Sequence, residues 1–360
     1  DAAARAAVAT TTATAAPTPP RAPSARLTVA DRALAPGTAP PHRTASAIDL
    51  YLAQSQYPPT SQPLDPARNP DLVSWNVRTD EAHAADLDSR VSYTFSGDAY
   101  WVIGDRAITT FLKVSRNGAP TDVRVVRGSV TVHAPRGAPL AAELQAPIPL
   151  QYTLVDGAWV ASFRPADLTT ITRSVDLVFE IEFDHGVAHQ IARLAAGYTP
   201  AAAAPARFTG TYREAIEHGS LVVYAGVEVR DAGWYDVDAN LWDAANQGVA
   251  WTRFKGDLAK GPQEVRLLFF GKVLLDRHST APWHLGELRG YRYDADASPP
   301  EQYLDAPTVG FTTQVATLGA LSPAEWDSPQ RAETLRALAA DDAAGQLPPI
   351  PEESFDNAVR

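Results

Sequence analysis

The 360-residue chain contains no cysteine and no methionine. Without cysteine it has no disulfide, no thiolate metal site and no thiol nucleophile. Exported bacterial proteins often avoid free thiols, so the absence agrees with an oxidising compartment. Without methionine the chain is not expected to begin at its translation start. Its small, Ala-rich opening DAAARAAVAT is expected to follow a removed signal peptide, with trimming of the chain as the alternative. No apolar run approaches the roughly 20 residues that cross a bilayer, so no transmembrane segment is expected. Positive charge is also short: 31 Lys and Arg face 42 Asp and Glu, a net −11. That balance argues against a nucleic-acid partner and against docking on anionic lipid.

The composition is that of a globular protein, 45% apolar and 20% charged, with length for two or three cored domains. Residues 1–45 are low-complexity Ala, Thr, Pro and Arg. Such a stretch buries too little apolar surface to order itself and is expected to be an extended arm. Within it Ala25, Arg26, Leu27, Thr28, Val29 and Ala30 can add as a strand to a sheet edge, in this chain or a neighbour. Residues 46–90 are expected to be a connector, with a short helix or strand at Ile48–Ala53. Pro58, Pro59, Pro63 and Pro66 then forbid regular structure.

Two stretches alternate apolar and polar residues, cut by turn residues. They are expected to be tandem immunoglobulin-like β-sandwiches over residues 91–200 and 207–293, an all-β fold. In Ser174–Phe183, Val175, Leu177, Phe179, Ile181 and Phe183 share one face. Leu150–Val155 and Trp159–Arg164 read as strands joined at Asp156-Gly157, a tight-hairpin signal. In the second stretch the inner stripes are Leu221, Val223, Ala225, Val227 and Val229, then Tyr235, Val237, Ala239 and Leu241, then Val265, Leu267 and Phe269. Residues 294–360 form a tail with a short helix at about 329–343. Ser328-Pro329 starts it, Ala332, Leu335, Leu338 and Ala339 stripe it, and Gly345 with Pro348 ends it.

The phrases GSLVVYAGVEV, GWYDVDANLWDAANQGVAW, VRLLFFGKVLLD and LGELRGYRY lie in order between Ser220 and Tyr293. With the upstream YLAQSQYPPTSQPL, FSGDAYWVIGDRAITTFLKV and LVDGAWVASFRP, they resemble the choice-of-anchor X domain of exported bacterial proteins. The resemblance covers residues 50–293. It implies secreted or surface proteins built of immunoglobulin-like sandwiches, and it brings no activity, cofactor or catalytic residue. The chain departs from anchored members after Tyr293, where no hydrophobic span or basic cluster follows.

One outer face concentrates the candidate chemistry. Trp234, Asp236, Asp238, Asn240 and Trp242 alternate along one strand, and Trp251 lies on the returning strand with Arg253 and Lys255. Asp-x-Asp-x-Asn supplies oxygens for Ca²⁺, but Leu241 and Gln247 stand where a calcium loop needs Gly and Glu. Arg253 and Lys255 are the competing partners for these acids. The tryptophans suit either an interface with the other sandwich, the connector or another subunit, or stacking on a sugar. His185 and His189 straddle a Gly turn, which spoils their spacing for zinc. No nucleophile elbow and no phosphate-cradling Gly loop is found. The expectation is a non-catalytic exported scaffold or assembly subunit, extracellular or at the cell surface, with the periplasm as alternative. Its partners would be other protein subunits of a homo- or hetero-assembly. A glycan- or surface-binding module is the second reading, and an enzyme with an unrecognised site the third. No cofactor and no metal is expected.

Overall fold

The computed structural model describes residues 46–73, 78–83, 90–135, 139–186, 188–297, 299–305, 310–314 and 318–347. The arm with its candidate strand Ala25–Ala30, and Trp75 in the connector, lie outside them. The described chain is all-β apart from short helices, and its strands form two immunoglobulin-like sandwiches, each with its own core.

In the first sandwich one sheet runs Arg78–His83, Val91–Gly97, Ile108–Arg116, Ala158–Phe163, Thr153–Val155, with Ala119–Pro120 also on Ile108–Arg116. The facing sheet runs Trp101–Ile103, His189–Thr199, Val175–Asp184, Arg124–His133, Ile148–Leu150. The alternation of Val175–Asp184 puts Val175, Leu177, Phe179, Ile181 and Phe183 inward, none more than 4% exposed. Truncating Phe179 or Phe183 to Ala removes roughly 3–5 kcal/mol. Asp156 and Gly157 both take positive φ, 49° and 77°, the geometry of a two-residue hairpin turn. The stretch Leu150–Val155 is not one strand, however. Ile148–Leu150 pairs with Arg124–His133 in one sheet, and Thr153–Val155 pairs with Ala158–Phe163 in the other. Side-chain alternation continues across this sheet change and does not record it.

The second sandwich packs a sheet ordered Ser61–Pro63, Gly248–Leu258, Gly233–Trp242, His284–Tyr293, Glu301–Tyr303 on a three-stranded sheet of Ala206–Glu217, Ser220–Val229 and Gly261–Phe269. Phe311–Thr312 also pairs with His284–Tyr293. Tyr235, Val237, Ala239, Leu241 and Trp283 are fully buried between the sheets.

Two stretches differ from expectation. The Pro-rich connector contributes the edge strand Ser61–Pro63 to this sandwich. Thr60 and Leu64 make the backbone bonds to the neighbouring strand, so Pro63 faces away and its missing N–H costs nothing. The sandwich also extends past Tyr293. Glu301–Tyr303 and Phe311–Thr312 are too short to show a period, yet they pair with His284–Tyr293, and Leu304 and Leu321 are buried in the same core. The helix Pro329–Ala343 is capped by Ser328, whose Oγ accepts from the Arg331 N–H at 3.1 Å. It packs on the helix Ala47–Gln54. Arg331, Thr334, Leu335 and Leu338 are its half-buried positions, while Ala332 and Ala339 are exposed. Arg331 Nε donates to Ser55 Oγ at 3.0 Å, which turns the helix away from the all-apolar stripe.

The chain therefore lays down an edge of the second sandwich, builds the whole first sandwich, and returns to finish the second. The return passes through residues 200–205, which are braced by Arg230. Its guanidinium donates to the carbonyls of Ala202 and Ala204. Tyr235 Oη donates to the Asp231 carbonyl and lies 3.3 Å from that of Pro205. Across the junction the rings of Trp101 and Tyr303 stand 5.0 Å apart. No helix among the described residues is long and apolar enough to cross a membrane.

Candidate functional site

The outer face of Gly233–Trp242 collects the candidate residues because a strand alternates. With Tyr235, Val237, Ala239 and Leu241 committed to the core, Trp234, Asp236, Asp238, Asn240 and Trp242 must point outward. This strand is central, flanked by Gly248–Leu258 and His284–Tyr293. Register sets Arg253 opposite Asp238, Lys255 opposite Asp236 and Trp251 opposite Asn240 on one side. On the other side it sets Arg289 opposite Asp238 and Tyr291 opposite Asp236.

Outward here does not mean wet. Asp236 is 1% exposed and Asn240 0%. Asp236 is held by a two-pronged bond from Arg253, whose Nε lies 2.6 Å from Oδ1 and whose Nη2 reaches Oδ2. Tyr291 Oη donates to Asp236 Oδ2 at 3.1 Å, and Lys255 Nζ stands 3.7 Å away. Burial and the neighbouring Asp236 carboxylate push the Tyr291 phenol up to about 12. The same carboxylate, through its hydrogen bonds, holds the Arg253 guanidinium firmly protonated.

Asp238 is less well served. Arg253 Nε lies 3.4 Å from it and Arg289 Nε 3.8 Å, and its Oδ1 is buried without a hydrogen bond. Burial raises its pKa to about 6, ahead of the lowering by Arg253 and Arg289. Burial likewise lowers the pKa of the Arg289 guanidinium, against the pull of Asp238.

A short segment of the connector closes this face. Asn240 Nδ2 and Arg289 Nη1 both donate to the Leu72 carbonyl, each at 2.8 Å. Asn240 Nδ2 also reaches Glu287 Oε2 at 3.1 Å, and Trp242 Nε1 donates to the same oxygen at 2.9 Å. Glu287 sits where the register shifts, at a φ of 44° that turns its carboxylate under Trp242. Asn240 Oδ1 and Trp251 Nε1 are buried without a hydrogen-bond partner.

The three tryptophans consequently occupy three environments. Trp242 is tied to Glu287, Trp251 is half-buried on the edge side, and Trp234 is 37% exposed at the far end. Trp234 meets the exposed Tyr293 edge-on, with ring centroids 6.5 Å apart at 86°. The face is thus a sealed charge network at Asn240 and an open aromatic pair at Trp234.

Sequence reasoning placed the acids with Arg253 and Lys255, as the structure does. It did not identify Glu287, Arg289, Tyr291 or the Leu72 carbonyl. The alternation of Arg289, Tyr291 and Tyr293 was a usable signal, since polar residues on a central strand need partners. The Leu72 carbonyl had none, because a backbone group carries no sequence mark.

Among the described residues, no three His, Asp or Glu side chains are grouped to hold a metal ion. The oxygens of Asp236 are turned to Arg253 and Tyr291 instead. His185 and His189 diverge: His185 is 4% exposed, while the His189 ring lies 3.0 Å from Asp184 on the surface.

No family model and no curated protein matches this chain. Solved structures similar to it include a DUF4785 family protein from Legionella pneumophila, at 13% identity and a TM-score of 0.37, covering 57% of this chain and 54% of that one. The chain thus spans about half the length of that protein. The FN1–FN3 domains of chicken CNTN1 are similar at 11% identity and a TM-score of 0.23, over 60% of this chain and 64% of that one. A DUF3823 family protein from Parabacteroides merdae is similar at 12% identity and a TM-score of 0.20, over 52% and 91%.

Proposed function

We propose that this chain is a non-catalytic subunit of an exported bacterial assembly, acting through contacts with other protein chains. One observation carries the reading. The polar outer face of Gly233–Trp242 is spent internally, on Arg253, Arg289 and the Leu72 carbonyl, so it offers no cleft with converging free groups. What stays open is apolar edge surface, with Leu154 and Val155 about half exposed. Edges of that kind serve pairing between chains. The linker whose carbonyls Arg230 holds suits a spacer built of two sandwiches. The resemblance to choice-of-anchor X proteins supports an extracellular or cell-surface setting, with attachment through a partner. Light scattering on the full chain, over a concentration series, tests the reading. A mass of two or more chains is expected. A monomer at every concentration, with no partner subunit captured at the cell surface, overturns it.

A glycan-binding reading rests on Trp234 and Tyr293, the open aromatics beside Lys255. Their edge-on arrangement leaves at most one ring face for a sugar. Binding on a glycan array that survives Trp234→Ala would remove this reading.

A further inference from the structure

The first sandwich is left open along one edge. Thr153–Val155 ends its sheet, paired on one side with Ala158–Phe163 and, among the described residues, with nothing on the other. In this tight hairpin Val155 bonds across to Ala158, which turns the backbone N–H and C=O of Leu154 outward. The Leu154 side chain points to the interior side of the sheet, as Trp159 opposite it does, yet it is 53% exposed. It borders a cleft of about 310 Å³ shared with Val114, Pro120, Val123 and Trp159. The seam between the sheets thus has apolar walls and an unpaired backbone rim. Asp122 lines the cleft and Asp156 lies at the hairpin tip, with Lys113 on the neighbouring outer surface.

We infer that this edge receives Arg26–Ala30 of another copy of the chain as an added strand. The inference rests on the assembly reading and names its contact. Alternation in the segment puts Leu27 and Val29 on one face, suited to the cleft, and Arg26 and Thr28 on the other. Charge fits as well: residues 1–45 hold five arginines and two aspartates, a formal +3 in a chain of −11. Main-chain bonds would give affinity and the two apolar side chains register.

Reach selects another copy over the same one. Ser46 caps the helix that packs on Pro329–Ala343, and that tail is fastened at Ser322 N–H to the Gly219 carbonyl at 2.8 Å. Gly219 lies at the end of the second sandwich away from the junction, since the neighbouring strand Ser220–Val229 runs from there to the braced Arg230. The Asp156-Gly157 tip lies beside Gly118 and Ser115, at the end of the first sandwich away from the junction. Strands of eleven and ten residues span the two sandwiches, so the path along the molecule from one end to the other is about 70 Å at roughly 3.3 Å per residue. Residues 31–45 cover about 50 Å at full stretch. Along that path the arm of the same chain falls short, whereas a neighbour's arm need not follow it.

Because the chain has no cysteine, crosslinking has no background. Full chains carrying Thr28→Cys are mixed with full chains carrying Thr153→Cys or Val155→Cys and oxidised gently. A disulfide-linked pair of unlike chains, lost on reduction, is expected from the mixture. Leu154→Asp, at an exposed position, should halve the light-scattering mass while its unfolding midpoint stays put. If instead only the doubly substituted chain oxidises, and runs as a monomer, the arm docks on its own molecule and the inference is overturned. If no disulfide forms while the full chain still scatters as an oligomer, this docking site is wrong and the assembly reading stands. A full chain that is monomeric throughout removes the inference, and the assembly reading falls with it when no partner subunit is captured at the cell surface.

Discussion

The indole of Trp101 lies against the α-carbon of Gly197 so closely that a methyl group there would meet ring atom Cε3 at 2.0 Å. From that seat Trp101 Nε1 donates to Thr199 Oγ1 at 3.0 Å, and the ring reaches Tyr303 of the second sandwich. Gly197→Ala should expel the ring, costing about 1–3 kcal/mol by overpacking. It should also loosen the junction. Urea unfolding reads the first effect, and the maximum dimension from solution scattering reads the second. An unchanged midpoint would mean that Trp101 is not wedged as described.

Asp238 gives the outer face a pH signature. Its folded pKa, about 6, lies above the ordinary aspartate value of 3.8. The folded state therefore holds its proton more tightly than the unfolded state. The stability this contributes is complete below about pH 4 and is lost as pH rises through about 6. Asp238→Asn keeps the neutral form at all pH values. It should match the parent near pH 4 and exceed it by up to about 3 kcal/mol at pH 7. Denaturant unfolding at several pH values checks the trend. A difference that does not vary with pH would remove burial of Asp238 as the cause.

Asn240→Asp should lift the connector off the sheet. The substitution places a carboxylate against the Leu72 carbonyl and the Glu287 carboxylate, where an amide N–H now donates to both. An uncompensated buried charge costs about 3 kcal/mol or more. Hydrogen exchange at residues 70–73 should accelerate, with the core strands Ser220–Val229 and Gly261–Phe269 little changed. Protection unchanged at Leu72 would show that the segment is held by other means.

Calcium should leave the protein as it is. Asp236 spends its oxygens on Arg253 and Tyr291, so neither excess Ca²⁺ nor a chelator is expected to move the unfolding temperature. A rise of several degrees with Ca²⁺, abolished by Asp236→Asn, would show that the ion displaces Arg253.

The inner stripes were legible because burial on one side of a strand leaves a period of two, as in Val175–Asp184. The helix at Pro329–Ala343 was legible because Ser328-Pro329 marks its start. The fate of the outer face was not. Alternation shows that Asp236 and Asn240 turn away from the core, but not what lies beyond them. The cover comes from residues 70–73, more than 160 positions away from Asn240, and it acts through a carbonyl that every residue has. Ser61–Pro63 was hidden for a related reason. Proline argues against a central strand, and only the position of a strand in the sheet decides whether that matters.

The order in which the chain visits its two sandwiches also decides how the molecule would carry a mechanical load. The described chain enters at the helix Ala47–Gln54 and leaves near the helix Pro329–Ala343, and these two pack on each other. A pull on the segments beyond them would be resisted at that helix pair and by the second sandwich. The first sandwich hangs from its host as a side branch, off the line of tension, and would keep its shape while the host was strained.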